Sequence, residues 1–266
     1  MRILFIGDIV GKVGRRMIHD YLDKFVEKYK IDFVIANGEN VRHGKGLLKN
    51  HYNELVDNGI DVVTLGNHYD GKNELRRYID FADRVVRPYN LIVDYPGAGT
   101  ALFEVEGILI RVTNILGSAF MNENVSNPYH SMLQCLAEEE EKAHIHIVDF
   151  HAEATGEKVC FGYAFDGKVS AVLGTHTHIQ TKDAKILPKG TGYITDVGMT
   201  GFADGSLGLD VDSVTRKLFY GEQTKFNVPA EGRGLFSAVV LDIDPIDGCT
   251  KEIFPIYYLE DKKYEN

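Results

Sequence analysis

The sequence predicts an α/β fold in which two mixed β-sheets pack face to face and carry helices on their outer faces. Three observations predict it. The first third of the chain alternates apolar runs with segments of helical period, a β-α-β-α-β order that demands mostly parallel strands joined by right-handed crossovers. The middle and the end return to strand-like segments, so the pattern fits two packed sheets better than one doubly wound sheet. The 266 residues contain no internal repeat, low-complexity segment or long linker, so a single domain over 1–266 is expected.

The elements follow in order. A strand over 2–7 leads through a Gly-rich turn, Gly11-Lys12-Val13-Gly14, into a helix whose apolar positions Met17, Ile18, Tyr21, Leu22, Phe25 and Val26 recur at helical spacing. A strand at 33–36 is followed by the loop Arg42-His43-Gly44-Lys45-Gly46 and by a helix near 49–58 that Gly59 closes. A strand at 61–65 precedes a helix near 72–80. Runs 101–106 and 108–114, joined at Gly107, form a hairpin. A helix near 128–142, with the Glu138–Glu141 run on its solvated face, leads to a strand at 144–149. Thr155 is an expected helix N-cap. Strands at 169–173 and 192–196 follow, and β-rich segments at 225–229, 235–243 and 251–259 complete the chain.

The bulk properties exclude several classes. With 44% hydrophobic and 26% charged residues, the composition is that of a soluble globular protein. A net charge of -10 argues against a broad nucleic-acid-binding surface, although a local basic pocket is compatible with it. No apolar run approaches the ~20 residues needed to cross a bilayer. The chain opens directly on a strand without the apolar core of a signal peptide, so a cytoplasmic location is expected. Cys135, Cys160 and Cys249 are odd in number and far apart, which suggests neither a disulfide framework nor a zinc knuckle.

Five short blocks of metal-ligand residues each follow an expected strand: Gly7-Asp8, Asn37-Gly38-Glu39-Asn40, Gly66-Asn67-His68, Asp149-Phe150-His151 and Gly174-Thr175-His176-Thr177-His178. Parallel strands of one sheet place their carboxyl ends along one edge, where open α/β sheets build their sites. Alone, Asp8 reads as a cap on the following helix, and His151 as a hydrogen-bonded structural histidine. Together the blocks point to a polynuclear metal site. Glu39 is placed to bridge two cations, since one carboxylate can hold a pair about 3.5–4 Å apart. Asn67 offers a neutral oxygen ligand, and its neighbour His68, pointing elsewhere, faces the substrate. His176 and His178, two apart, project from the same side of an extended segment. Ligands of mixed nitrogen and oxygen type without thiolate favour Mn, Fe or Zn. Two such ions would lower the pKa of a bridging water toward neutrality, making a hydroxide nucleophile, and His68 would protonate the leaving oxygen of a phosphoester. Arg42, His43 and Lys45 are candidates for attracting an anionic substrate.

These blocks resemble those of the calcineurin-like metallophosphoesterases, and more specifically the bacterial YmdB-type branch. The likeness rests on Gly7-Asp8-Ile9-Val10-Gly11-Lys12-Val13-Gly14-Arg15, Asn37-Gly38-Glu39-Asn40, His43-Gly44-Lys45-Gly46, Asp149-Phe150-His151-Ala152-Glu153-Ala154-Thr155, the Gly174–His178 block and Tyr193–Gly201, and it runs over essentially the full length. The resemblance implies a double-sheet sandwich flanked by helices and a cytoplasmic phosphodiesterase acting on 2′,3′-cyclic nucleotides. It also implies two metal ions, iron first and manganese or zinc as alternatives, and allows a homo-oligomer. Carried over by motif, one metal takes Asp8, Glu39, Asn40 and His178, the other takes Glu39, Asn67, His151 and His176, and His68 is the proton donor. The usual DxH of the superfamily is Asp8-Ile9-Val10 here, which removes one histidine ligand that Asn40 can replace. Tyr69-Asp70-Gly71 stands where the branch usually has Thr-Trp-Asp, beside His68, which bears on substrate fit. The competing expectations are a phosphomonoesterase or nucleotidase at the same centre, and a regulatory, RNA-associated protein whose metal site is structural. An amidohydrolase is disfavoured, because its HxH lies on the first strand and this pair comes late.

Overall fold

Residue burial explains why the strands read as unbroken apolar runs. The computed structural model describes residues 1–71, 74–138 and 142–261. In β1 (Arg2–Ile6) every position after the first is buried. Leu4 and Ile6 face one apolar layer, and Ile3 and Phe5 face another. A strand covered on both faces has no polar side to alternate with.

The first sheet contains β1, β2 (Asp8–Ile9), β3 (Phe33–Asn37), β4 (Val62–Thr64), β5 (Val85–Val86), β12 (Met199–Phe202), β13 (Gly234–Ile243) and β14 (Thr250–Leu259), in the order β2-β12-β13-β1-β3-β4-β5 with β14 also on β13. The second contains β6 (Thr100–Val105), β7 (Ile108–Leu116), β8 (Ile145–His151), β9 (Ala171–Thr175), β10 (Lys185–Ile186) and β11 (Gly192–Ile194), in the order β10-β11-β9-β8-β7-β6. Both sheets are mixed. β1, β3, β4 and β5 run parallel, while β13 pairs antiparallel with β1. β7, β8, β9 and β11 run parallel, while β6 and β10 pair antiparallel at the edges.

Three apolar layers hold this arrangement together. Ile3, Phe5, Ile35 and Val239 from the first sheet pack on Ile110, Ile147 and Leu173 from the second. The outer face of the first sheet packs against α1 (Gly11–Tyr29) and α2 (Lys49–Asp57) through Met17, Leu22 and Leu55. The outer face of the second packs against α3 (Pro128–Ala137) and α4 (Thr155–Ala164) through Met132, Phe161 and Phe165, and Phe150 stacks on Phe161 at 4.0 Å between centroids. The expected two-sheet sandwich with helices outside is the observed fold. Among the described residues no helix is long and apolar enough to cross a membrane.

Several local expectations change. The 106–107 hairpin loop forms with both residues left-handed, Glu106 at φ 51° and Gly107 at φ 82°, as a two-residue turn matched to strand twist requires. The Gly11–Gly14 segment is not a turn before the helix, because α1 starts at Gly11. In place of a helix near 72–80 there are two 3₁₀ turns, Leu75–Arg77 and Ile79–Phe81; residues 72 and 73 lie outside the described residues, as do 139–141 of the acidic run. Thr155 is the first helical residue and Ala154 the N-cap, without a side-chain cap bond. The segment 225–229 forms no strand. Before it, α5 (Val211–Leu218) has no counterpart in the sequence reading; its N-cap Asp210 accepts from the Ser213 amide at 2.9 Å.

Candidate metal centre and adjoining cavity

The five blocks converge, although on two sheets rather than one. β3 and β4 end beside each other in the first sheet, with Asn37 in register with Thr64, and β8 and β9 end beside each other in the second, with His151 in register with Thr175. Asp8 is fully buried in β2 and does not cap α1, whose N-cap Val10 has no side-chain cap bond. Its Oδ2 instead accepts from the His176 amide at 3.1 Å, tying the first sheet to the His176–His178 turn.

The centre is defined by acceptor atoms that face one another. His151 Nε2 lies 3.2 Å from Glu39 Oε1, 3.0 Å from Asn67 Oδ1 and 3.0 Å from His176 Nδ1. The hydrogen bonds around the rim decide which of these atoms carry protons. With Asp149 ionised, Thr175 Oγ1 donates to Asp149 Oδ1 at 2.6 Å and accepts from His151 Nδ1 at 2.9 Å. His176 Nε2 lies 3.0 Å from Glu153 Oε2, which can only accept while ionised. Asn67 Nδ2 donates to Glu123 Oε1 at 3.2 Å, which turns Asn67 Oδ1 inward. Two imidazole lone pairs, a carboxylate oxygen and an amide oxygen therefore meet without a proton between them. Such a group repels itself unless a cation joins it, and a second bond on the outer nitrogen is how ligating histidines are commonly oriented. Glu39, His151 and His176 each place one ligating atom within 4.8 Å of the others.

A second group of acceptors adjoins the first. His178 Nδ1 donates to the Leu207 carbonyl at 3.1 Å, leaving Nε2 3.9 Å from Asp8 Oδ1. Asp8 Oδ1 and Asn40 Oδ1 are buried and, among the described residues, have no hydrogen-bond partner. An unpaired buried acceptor costs about 1–3 kcal/mol, and a cation would satisfy both. The donor set thus fits metal binding through nitrogen and oxygen ligands.

Titration behaviour is consistent with that fit. Burial pushes the His151 and His176 imidazoles down to about 4, with the Asp8 carboxylate opposing at His151, so both are neutral near pH 7, the ligating form. Burial raises Asp8 and Glu39, against the pull of neighbouring histidines. Asp149 is pushed up to about 7 by burial, with Thr175, Thr64 and Asn37 opposing by hydrogen bonding.

The backbone bends to bring the late histidines in. His176 and His178 have φ of 98° and 66°, so they sit on a turn in left-handed conformations and are not an alternating pair on an extended segment. Such conformations cost of order 1–3 kcal/mol each and persist where the surroundings fix them. Asp196 fixes this turn: its Oδ2 accepts from the Thr177 amide at 3.0 Å and from Thr177 Oγ1 at 2.7 Å. Lys158 from α4 donates to the same oxygen and to the Thr175 carbonyl, each at 2.7 Å. Gly66 lies close against side chains of the cluster, because an added Cβ would run into Glu39 Oε2 and the His151 ring.

His68 stands beside this cluster. Its amide donates to Glu39 Oε2 at 2.8 Å, and the residue lines a cavity of about 750 Å³ together with Glu39, Asn40, His176 and His178. Burial lowers its pKa, and the Glu39 carboxylate opposes. His43 and Lys45 also line the cavity, whereas Arg42 is not among its lining residues. Tyr69, whose ring meets Tyr95 edge-on at 4.9 Å, and Asp70, which accepts from Tyr95 Oη at 3.0 Å, form a packed group beside His68.

Sequence reasoning gave no role to Asp149, Thr175, Glu153, Glu123, Lys158 or Asp196. Asp149 carries a signal: a carboxylate inside the otherwise apolar run Ile147–Phe150 is rare unless partnered. It shares a strand face with His151, and it accepts from Asn37 Nδ2 and Thr64 Oγ1 of the other sheet.

Comparison with known proteins shows the family. The family model described as YmdB-like protein matches residues 4–256. A relative from Bacillus subtilis, a 2′,3′-cyclic-nucleotide 2′-phosphodiesterase, is 45% identical over 244 residues, 92% of this chain and 92% of that one. The crystal structure of a novel phosphatase from Mycoplasma pneumoniae superposes with a TM-score of 0.93 at 34% identity, covering 99% of this chain and 95% of that chain. A 5′-nucleotidase from Staphylococcus aureus shares the fold at a TM-score of 0.60 and 16% identity, over 99% of this chain and 56% of its own.

Proposed function

The chain belongs to the YmdB-like family and is a phosphoesterase, and from that premise we propose that it hydrolyses 2′,3′-cyclic nucleotides at a centre of two metal ions. The observation that carries the reading is the close approach of Glu39 Oε1, Asn67 Oδ1 and His176 Nδ1 to His151 Nε2, beside the unpartnered Asp8 Oδ1 and Asn40 Oδ1. In this reading Glu39, Asn67, His151 and His176 hold one ion, and Asp8, Glu39, Asn40 and His178 hold the other, with iron the first candidate. When bound, the ions supply Lewis-acid charge that acidifies water and neutralises phosphoryl oxygens. The protein's own groups do the rest. Glu153 and Thr175 keep the two imidazoles in their ligating orientation, Lys45 and His43 draw the anionic ester into the cavity, and His68 protonates the departing ribose oxygen. The phosphodiesterase named above supports the substrate class, and the phosphatase supports a monoester reading.

One panel separates the two. Purified protein assayed on 2′,3′-cyclic AMP, 3′,5′-cyclic AMP and 3′-AMP, with metal content measured on the same sample, is expected to cleave the 2′,3′-cyclic ester fastest and to contain about two metal ions per chain. A metal-loaded sample that cleaves only the monoester overturns the diesterase assignment. Metal also stabilises the fold in this reading. Restoring Mn²⁺ to chelated protein at 100 times its Kd is expected to add about 2.7 kcal/mol, read in calorimetry as a rise in Tm of roughly 5–10 °C. An unchanged Tm would remove the metal centre from the account.

A further inference from the structure

The cavity beside the metal centre has a second wall, which the reaction does not explain. It is formed by Leu207 and Leu209, by Lys217 near the end of α5, and by the irregular segment Thr224–Val228. Apart from imidazoles, Phe226 is the aromatic side chain of this wall, and it is left 44% exposed. A half-open aromatic ring in a polar-ended cavity is a surface for a flat partner.

The ring is held in place. Lys217 Nζ lies 4.2 Å from its centroid, a cation–π contact. The next residue is tethered on both sides, since the Asn227 amide donates to Ser213 Oγ at 3.1 Å and the Asp210 amide donates to the Asn227 carbonyl at 3.0 Å. Asp210 is itself the cap of α5. The irregular segment thus presents Phe226 at a fixed position, and preorganisation of this kind reduces the ordering cost of binding.

The charge of the cavity selects the partner further. The chain carries -10 overall, yet Lys45, Lys217 and Lys225 face this one cavity. Among the described residues none of the three pairs with a carboxylate, while the two lining acids are engaged, Glu39 in the acceptor cluster and Glu153 with His176. A cavity of about 750 Å³ whose lining includes members of the acceptor cluster, three lysines and one phenylalanine matches an anion that carries a planar ring.

We propose that Phe226 is the nucleobase platform of the substrate site, with Lys217 fixing its ring and Lys225 and Lys45 drawing in the phosphate. The proposal rests on the phosphodiesterase reading for the position of the phosphate, and it makes the base, not only the cyclic ester, a determinant of affinity.

The test measures binding as well as turnover, so that the two readings fail separately. Equilibrium dissociation constants are measured for the metal-loaded protein with 3′-AMP and with the base-free glycerol 2-phosphate, for wild type, Phe226→Ala and Phe226→Trp. Base stacking is worth about 1–3 kcal/mol, so Phe226→Ala is expected to weaken 3′-AMP roughly 5- to 150-fold, to weaken glycerol 2-phosphate less than threefold, and to keep its metal content. Phe226→Trp is expected to restore 3′-AMP affinity. Equal weakening of both ligands, or no weakening of 3′-AMP, overturns the proposal. If 2′,3′-cyclic AMP is not hydrolysed although the binding contrast holds, the reaction is misassigned and the platform stands; if it is hydrolysed without the contrast, the platform is wrong.

Discussion

Replacing Lys158 with methionine is expected to lower the unfolding free energy by about 3–5 kcal/mol, the loss found when one partner of a buried ion pair is removed. Lys158 and Asp196 are both about 1% exposed, with Nζ 2.7 Å from Oδ2. The substitution leaves the Asp196 carboxylate in the interior without its counter-charge and strips the donor from the Thr175 carbonyl. The three donors that remain to Asp196, from Thr177 and Gly198, limit the damage and do not replace a charge. In a thermal melt the loss is expected as a fall of roughly 6–20 °C. Removing the charge on both sides, Lys158→Met with Asp196→Asn, is expected to recover a large part of it, because replacing both members of a buried pair is often near neutral. A melting temperature within about 2 °C of wild type for the single variant would show that the pair stabilises nothing. The consequence for the site is specific. Asp196 holds Thr177, which sits between His176 and His178, so the variant is also expected to bind metal about 10–100-fold more weakly, as other losses of ligand support do.

That coupling explains what the sequence disclosed and what it withheld. Strand ends are legible because a strand buried on both faces is mostly apolar, so polar residues gather at its tip, and Asp8, Glu39 and Asn67 lie just beyond β1, β3 and β4. The two-sheet architecture was legible from the mixture of β-α alternation with later β segments. The geometry of the His176–His178 turn was not. Residues two apart alternate on an extended strand, and nothing local announces left-handed φ values at two histidines, which Asp8, Asp196 and the Leu207 carbonyl impose from other elements. Lys158 was invisible for a related reason: a lysine on a short helix reads as solvated unless its partner, 38 residues away in sequence, is known. The wall at 224–228 looked like a strand because its apolar residues are spaced for one, but it is tethered by side-chain and main-chain bonds to α5 and runs without strand partners among the described residues. The wall at 224–228 therefore lies in no motif, whereas the acceptor cluster is almost wholly contained in motifs.

The sharpest separation between binding metal and performing chemistry lies at His68. Its main chain is fixed by the 2.8 Å bond from its amide to Glu39 Oε2, and the residue lines the cavity without belonging to the Glu39–His151–His176 group. His68→Ala therefore removes the proposed proton donor without removing a member of that group. A positioned acid contributes about 10²–10⁴-fold, and a loss of this size in kcat is expected for 2′,3′-cyclic AMP, whose leaving ribose oxygen needs a proton. For bis(p-nitrophenyl) phosphate, whose leaving phenolate departs unprotonated, the loss is expected to be less than about tenfold, since general-acid assistance follows the proton demand of the leaving group. Metal content should stay at the wild-type value. Glu39→Gln is the contrasting variant: it removes the carboxylate placed against both the His151 imidazole and the His68 amide, and it is expected to lose metal and activity on both esters together. If His68→Ala loses metal as Glu39→Gln does, His68 is a ligand; if it slows both esters equally, His68 positions the substrate and the proton comes from elsewhere. Only a loss confined to the ester with the poor leaving group makes His68 the acid of the reaction.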